Sequence, residues 1–240
     1  LSKKGWIRSR VGHGLDLSQT AFKEGDGLKQ VLEGRSVWPV VVLDSLGRTY
    51  TLDAAEIPGG RGDGVPVGSL VELQNGAEVA AMISGLPEQH YLLSNSGGYG
   101  FIAKLADMVG RVKAGKVMIS LEAGEKVLPP QAVFTVSLIN PDCKVVLASS
   151  ANRLLAFALG ELKVMAKGRG LQLMNLGEDE KLAHIAVVST PEFMVESRVQ
   201  RGALRCDGLP IQDTEIKRGR KGRLLDLAGR LKAIGGTDAE

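Results

Sequence analysis

The sequence has few residues of the types that build metal centres, disulfide scaffolds or membrane spans. Its 240 residues include 2 cysteines and 3 histidines, and none of them lies in a spaced metal-binding motif. The apolar runs, such as residues 37–43, are far shorter than the ~20 residues that cross a bilayer. We therefore expect a cytosolic protein without metal ligands, in which Cys143 and Cys206 are free thiols.

Catalytic motifs are also missing. The sequence contains no P-loop, no nucleophile elbow and no dinucleotide fingerprint placed between a strand and a helix. It begins at Leu1 with neither an initiator Met nor the apolar segment of a signal peptide. We interpret the chain as a non-catalytic piece of a longer protein, with no cofactor of its own.

Aromatic residues make up only 4% of the chain, although hydrophobic residues make up 44%. Small aliphatic side chains must therefore fill the core. They occur in short runs separated by Gly, Pro, Asn and Asp, a pattern typical of β-strands. The predicted strands are 37–43, 48–52, 69–73, 78–83, 90–94, 100–104, 116–121, 133–138, 144–149, 154–158, 171–176, 184–188 and 193–197.

Helical patterns are rare. Single helical turns are predicted at 53–56, 104–108 and 159–162, each between a strand and the loop that follows it. A short C-terminal helix is predicted at 224–231, since this stretch is followed by Gly235 and Gly236. Residues 232–240 are expected to be frayed.

A turn followed by a strand recurs about every fifty residues, a period typical of repeat architectures. The turns are centred on Gly5, Gly47, Gly98, Asn152 and, more weakly, Gly202. About four strands per repeat is the spacing of a propeller blade. The sequence thus predicts an all-β, propeller-like disc of about five four-stranded blades, forming a single domain over residues 1–240.

A small loop of Gly and basic residues follows the first strand of each repeat, at 23–27, 60–64, 113–116, 167–170 and 217–222. Gly lets the backbone approach a ligand closely, and Lys and Arg supply charge for phosphate. Any one of these loops, taken alone, also fits an ordinary solvated turn. The loops, together with other basic residues of the first, third and last repeats, predict DNA contacts by Lys3, Lys4, Arg8, Arg10, Arg61, Arg111, Lys113, Lys116, Lys167, Arg169, Lys217, Arg218, Arg220, Lys221 and Arg223.

The charge is unevenly distributed, which favours a polyanion on one surface. The net charge is only +3, but residues 44–94 carry two basic and seven acidic side chains, a net of −5. Positive charge is concentrated in the first, third and last repeats. We therefore expect those repeats to hold DNA and the acidic second repeat to lie off its path.

Several segments now point to a known family. They are Ser2-Lys3-Lys4-Gly5-Trp6-Ile7-Arg8, Gly12-His13, Phe22-Lys23-Glu24-Gly25-Asp26, Ser96-Gly97-Gly98-Tyr99-Gly100-Phe101, residues 111–116, Leu128-Pro129-Pro130, Lys167-Gly168-Arg169-Gly170 and residues 217–223. In this order they resemble the C-terminal domains of the bacterial topoisomerase IV A subunits, which are part of the gyrase A and topoisomerase IV β-pinwheel family.

The resemblance implies a β-pinwheel, in which blades of a propeller-like disc exchange a strand, and it leaves open whether the ring closes. It also implies that the rim binds and bends duplex DNA with little sequence preference, and guides DNA segment and topology selection for supercoil relaxation and decatenation in chromosome segregation. The parent complex would be an ATP-hydrolysing type II topoisomerase that uses Mg²⁺ and ATP. The implied partners are the ATPase subunit of an A2B2 complex and the N-terminal part of the same polypeptide, in the cytoplasm at the nucleoid.

Two alternatives stay open at this point. The first is the gyrase A domain, which wraps DNA and carries a Gln-Arg-Arg-Gly-Gly-Lys-Gly box. That box is absent, and the similar segment 217–222 lies in the last repeat, so topoisomerase IV is favoured. The second, from another class, is a propeller-like protein-interaction module whose charges only keep it in solution.

Overall fold

Short β-strands form most of the regular structure. The computed structural model describes residues 1–12, 14–17, 20–59, 62–134, 137–138, 140–199, 203–225 and 229–236. The strands are β1 (Trp6–Ile7), β2 (Val40–Asp44), β3 (Arg48–Leu52), β4 (Val65–Pro66), β5 (Val79–Ser84), β6 (His90–Ser94), β7 (Tyr99–Lys104), β8 (Lys116–Val117), β9 (Gln131–Val133), β10 (Lys144–Ser149), β11 (Arg153–Ala158), β12 (Leu171–Gln172), β13 (Leu182–Val188), β14 (Glu192–Val199), β15 (Leu204–Pro210), β16 (Arg223–Leu224) and β17 (Gly229–Gly236). Helical turns occur at α1 (Leu105–Met108) and, as 3-10 turns, at Ala54–Glu56, Val67–Ser69, Leu159–Glu161 and Ile211–Asp213.

These strands form five antiparallel sheets, which we call blades 1 to 5 in chain order. Blade 1 contains β1 and β4, and blade 5 contains β17, β14 and β15 in that spatial order. Blade 2 has the order β5-β2-β3-β8, blade 3 the order β9-β6-β7-β12, and blade 4 the order β13-β10-β11-β16. The prediction of an all-β, propeller-like fold with about five blades is confirmed, and blades 2, 3 and 4 have the predicted four strands, whereas blades 1 and 5 have two and three among the described residues.

One edge strand of each of the first four blades belongs, along the chain, to the following blade. For example, β8 comes after the β6–β7 hairpin of blade 3 but pairs with β3 of blade 2. The four exchanges use the same register, because the first residue of each exchanged strand pairs with the equivalent residue of its host. The pairs are Ile7 with Val65, Thr49 with Lys116, Gly100 with Leu171, and Leu154 with Arg223.

The exchanged strands lie on the outer edges of the blades. At the opposite edges, β13 contacts both β9 and β17, as expected for strands that line a common centre. The second residue of each exchanged strand is exposed, namely Pro66, Val117, Gln172 and Leu224. The loop that leads into each exchanged strand therefore lies at the rim.

The core consists of aliphatic layers between neighbouring blades. Alternate residues of β2 face opposite ways, so that Val42 packs in the layer toward blade 1 and Val41 in the layer toward blade 3. Equivalent layers join blade 3 to blade 4 and blade 4 to blade 5. Strands that are buried on both faces read as continuous apolar runs, which explains how so few aromatic residues suffice.

The recurring turn has a physical cause. Its third residue after the capping side chain has positive φ at Gly5, Gly47, Gly98 and Asn152, a conformation that favours glycine or asparagine. The capping residue accepts hydrogen bonds from the turn: Asp44 Oδ1 accepts from the amides of Leu46 and Arg48 at 2.9 and 2.8 Å. Asn95 and Ser149 cap their turns in the same way.

The C-terminal helix predicted at 224–231 is wrong. Leu224 ends the exchanged strand β16, and β17 occupies Gly229–Gly236, so residues 232–236 are also not a frayed tail. Antiparallel pairing with β14 along its length explains the strand. The Asn152 side chain holds its start, since Nδ2 donates to Gly229 O at 3.1 Å and Oδ1 accepts from Leu231 N at 3.2 Å. Residues 226–228 and 237–240 lie outside the described part of the chain.

The other secondary-structure predictions are partly confirmed. The three helical turns are confirmed at Ala54–Glu56, Leu105–Met108 and Leu159–Glu161. The strand predicted at 69–73 is wrong, because a 3-10 turn at Val67–Ser69 comes first and the following residues form no strand. Strand β15 was indicated only by the weak turn-plus-strand copy at Gly202, because its charged and glycine residues hide the apolar pattern.

Candidate nucleic-acid interface

Four loops lead into the exchanged strands, and we call them the first (62–64), second (111–115), third (166–170) and fourth (217–222) exchange loops. Each ends in a glycine with positive φ: Gly64, Gly115, Gly170 and Gly222. A Cβ on Gly115 would lie 2.6 Å from Thr49 O, and one on Gly222 would lie 2.8 Å from Leu154 O. The glycines therefore let each loop turn directly against the backbone of the host blade.

Strand exchange moves the cations of each loop onto the preceding blade. The second exchange loop lies on blade 2, where the Arg48 side chain donates to Ala114 O and Gly115 O at 3.0 Å. Blade 2 lies largely within the acidic segment 44–94, yet its outer edge carries Arg111 and Lys113. The outer edge of blade 2 thus carries cations that the charge count along the chain had assigned to the third repeat.

The predicted DNA contacts divide into free and engaged cations. Those of the first group are exposed, and their side chains make no hydrogen bond or ion pair with any part of the chain that the structure describes. They are Lys3, Arg10, Arg111, Lys113, Lys167, Lys217, Arg220 and Lys221. Six of them lie in the second, third and fourth exchange loops, on the outer edges of blades 2, 3 and 4. Arg61 lies outside the described residues.

The engaged cations hold loops in place. Arg8 donates to Gly62 O at 2.8 Å and to Ala21 O at 2.7 Å, which fixes the first exchange loop. Arg218 donates to Gln172 O at 2.6 Å, and Arg223 donates to Asp213 O at 2.8 Å. Lys4 donates to Glu24 O at 3.0 Å.

Lys116 is the least available of the predicted contacts. Its ammonium donates to Val109 O at 2.7 Å, and burial lowers the pKa of this half-buried side chain. A lysine held in this way supports the backbone before β8, because its ammonium is engaged by Val109 O.

Arg169 is engaged in a different way, by acidic side chains. It forms ion pairs with Glu122 at 2.6 Å and with Glu125 at 2.7 Å, and its guanidinium lies 4.2 Å from the centre of the Tyr99 ring. Sequence patterns did not reveal this cluster, nor the clamp made by Arg48, because the partners are far apart along the chain.

Metal-binding clusters and membrane-spanning helices are not found among the described residues. No group of three or more His, Cys, Asp or Glu side chains among them is arranged to hold a metal ion. In the same residues, no helix is long and apolar enough to cross a membrane. Cys143 is buried and Cys206 is exposed, and both are free thiols as predicted.

Comparisons with known proteins agree with the fold. Residues 144–189 match the family described as the DNA gyrase C-terminal domain, beta-propeller. The chain is 63% identical over 238 residues to the A subunit of DNA topoisomerase 4 from Neisseria gonorrhoeae, covering 98% of the chain and 31% of that relative. It is 32% identical over 232 residues to the Escherichia coli K12 protein of the same name, covering 94% of the chain and 30% of the relative. The chain thus spans about a third of the length of these relatives.

Solved structures give the same result. The E. coli ParC C-terminal domain superposes with a TM-score of 0.85 at 30% identity, covering 98% of the chain and 95% of that domain. A DNA gyrase A C-terminal domain superposes with a TM-score of 0.68 at 19% identity, covering 98% of the chain and 80% of that domain, which shows a shared fold alone. The chain belongs to the family of C-terminal β-pinwheel domains found in the A subunits of bacterial topoisomerase IV.

Proposed function

We propose that this chain is a non-catalytic domain that binds duplex DNA along the outer edges of blades 2, 3 and 4. The observation that carries the proposal is the set of free cations in three successive exchange loops. They are Arg111, Lys113, Lys167, Lys217, Arg220 and Lys221, all exposed. Because neighbouring blades present them on the same outer edge, they form one arc that suits a curved polyanion.

The chemistry of the arc favours contact with phosphates. Lys and Arg tips on short glycine loops reach phosphate oxygens and carry no pattern that reads base edges, so little sequence preference is expected. Bending 20–30 base pairs by 40–90° costs roughly 1–6 kcal/mol, whereas non-specific binding at about 10⁻⁴–10⁻⁶ M corresponds to roughly 5–8 kcal/mol. Each loop therefore contributes a meaningful share of the energy that holds DNA in a curve.

The test is a salt titration of duplex DNA binding by fluorescence anisotropy. If all six free cations contact phosphates, the logarithm of affinity should fall by about five for each unit of log salt. The double substitution Arg111→Glu and Lys113→Glu should weaken binding roughly ten-fold or more and make this slope shallower by about two.

The matched control is the double substitution Lys104→Glu and Lys232→Glu, which makes the same charge change at exposed residues of β7 and β17, outside the exchange loops. It should change affinity far less than either loop substitution. A salt-independent affinity, or equal losses for the loop and control variants, would instead favour a protein-interaction module or a different DNA surface.

For the whole protein we propose the role that its relatives' names suggest. The domain would guide DNA segment and topology selection within an ATP-hydrolysing type II topoisomerase that relaxes supercoils and decatenates chromosomes. Mg²⁺ and ATP would be used elsewhere in that complex. The partners would be the ATPase subunit of an A2B2 assembly and the N-terminal part of the same polypeptide, located in the cytoplasm at the nucleoid.

A further inference from the structure

The third exchange loop occupies the middle of the arc, and its arginine is neutralised. Arg169 Nη1 lies 2.6 Å from Glu122 Oε1, and Arg169 Nη2 lies 2.7 Å from Glu125 Oε1. Both carboxylates belong to the turn 122–125, which precedes β9 of blade 3. At the centre of the positive arc, the charges of Lys167 and Arg169 are therefore balanced by those of Glu122 and Glu125.

This cluster is built into the blade. Glu125 is only 11% exposed at its side chain, and its Oε2 accepts from Glu122 N at 2.9 Å. Its carboxylate also depends on Gly97, where a Cβ would overlap Oε1 and lie 2.6 Å from Cδ. The Tyr99 ring supports the guanidinium from its face.

The flanking exchange loops lack this arrangement. Arg169 stands directly before the positive-φ glycine of its loop, and the equivalent residues are Ala114 in the second loop and Lys221 in the fourth. Lys221 is exposed and has no partner among the described residues. In the fourth loop, Arg218 Nε lies 3.7 Å from Glu161 Oε2 of the host blade, a single and looser contact. Among these three loops, only the middle one has a cation held by two carboxylates of the host blade at less than 3 Å.

We propose that Glu122 and Glu125 act as an internal counter-charge that competes with DNA phosphate for Arg169. This inference rests on the proposed function and adds regulation to that surface. Glu122 is 73% exposed and Arg169 is 24% exposed at their side chains, so a phosphate oxygen can replace Glu122 while Glu125 keeps its bond. The centre of the arc then binds DNA more weakly than its charged residues alone suggest, which favours release of the bent segment.

The substitution Glu122→Gln tests the proposal without disturbing a buried group. It should tighten duplex binding about two- to five-fold near 0.1 M salt, the range expected for removal of one exposed ion pair. It should also steepen the salt dependence by about 0.9, because Arg169 gains a phosphate contact. Thermal melting of the variant should match that of the wild-type chain.

Glu178→Gln is the matched control, since Glu178 is exposed in the corresponding turn of blade 4 and pairs with no arginine among the described residues. It removes the same charge and should leave the salt slope unchanged. In an Arg169→Gln background, Glu122→Gln should have no larger effect than Glu178→Gln.

Equal gains in DNA affinity from Glu122→Gln and Glu178→Gln would contradict the proposed competition for Arg169. A gain that persists in the Arg169→Gln background would contradict it as well. If the wild-type chain binds DNA with a steep salt dependence but Glu122→Gln brings no gain, the proposed function stands and this inference fails. If the wild-type chain does not bind duplex DNA, both fail.

Discussion

Single glycines control where charge reaches the surface of this domain. Gly115 and its equivalents combine positive φ with a close approach to the backbone of the host blade. Any side chain at these positions must push the exchange loop away from the edge on which its cations lie. The residue type that looked like an ordinary turn former in the sequence is therefore a packing requirement between blades.

Substituting Gly115 should be much more costly than substituting another glycine of similar φ. In Gly115→Ala the new Cβ would lie 2.6 Å from Thr49 O and 2.7 Å from the Tyr50 ring, so we expect the free energy of unfolding to fall by about 2–4 kcal/mol. Urea denaturation measures this loss.

Gly124→Ala is the control, because Gly124 has φ of +81° but nothing lies within 4 Å of an added Cβ. It should cost only about 1 kcal/mol, from the backbone conformation alone. Equal losses for the two variants would mean that contact with the host blade does not constrain the exchange loop.

For single residues, the sequence indicated which loops contain cations and turn glycines, but not which partners those cations bind. The cationic loops and turn glycines were recognised, because each is a local pattern. The engagement of Arg8 by Gly62 O and of Arg169 by Glu122 was not, because each partner comes from a different repeat. Local sequence patterns do not show which cationic side chains form hydrogen bonds or ion pairs within the folded chain.

Among the elements, hairpin strands were easier to predict than exchanged ones. The strands at 48–52, 90–94 and 144–149 have the predicted bounds, since each contains apolar or β-branched residues and adjoins a recognisable turn. The exchanged strands are only two residues long, too short for a period-two pattern. Their existence depends on pairing with a host more than fifty residues earlier, which no local signal encodes.

A helix was predicted at 224–231, but the structure has strand β17 at Gly229–Gly236. Two leucine substitutions can test this strand. Leu231 is 5% exposed and packs with Phe193 and Val195 between blades 4 and 5, whereas Leu224 is 65% exposed. Leu231→Ala should therefore lower the free energy of unfolding by about 2–4 kcal/mol, from lost burial and the cavity that remains.

Leu224→Ala, by contrast, should change stability by no more than about 0.5 kcal/mol. Urea denaturation of both variants checks the assignment. Similar losses at the two positions would contradict a strand that buries Leu231 and exposes Leu224.

For the whole molecule, strand exchange changes how charge along the chain maps onto the surface. The repeat order and the all-β fold follow from the fifty-residue period, but the position of the cations does not. An acidic stretch at 44–94 suggested a break in the DNA path, and the second exchange loop covers that part of the rim with Arg111 and Lys113. The resulting arc spans blades 2, 3 and 4, with a neutralised arginine at its centre.

The most direct test of this arc is lysine protection by bound DNA. The wild-type chain is acetylated under limiting reagent, with and without a saturating duplex at low salt, and modification at each lysine is measured by mass spectrometry. Lys113, Lys167, Lys217 and Lys221 should be protected together, while the exposed Lys104 and Lys232 should react equally in both samples. Protection of Lys104 or Lys232 with no change at the four loop lysines would contradict the account.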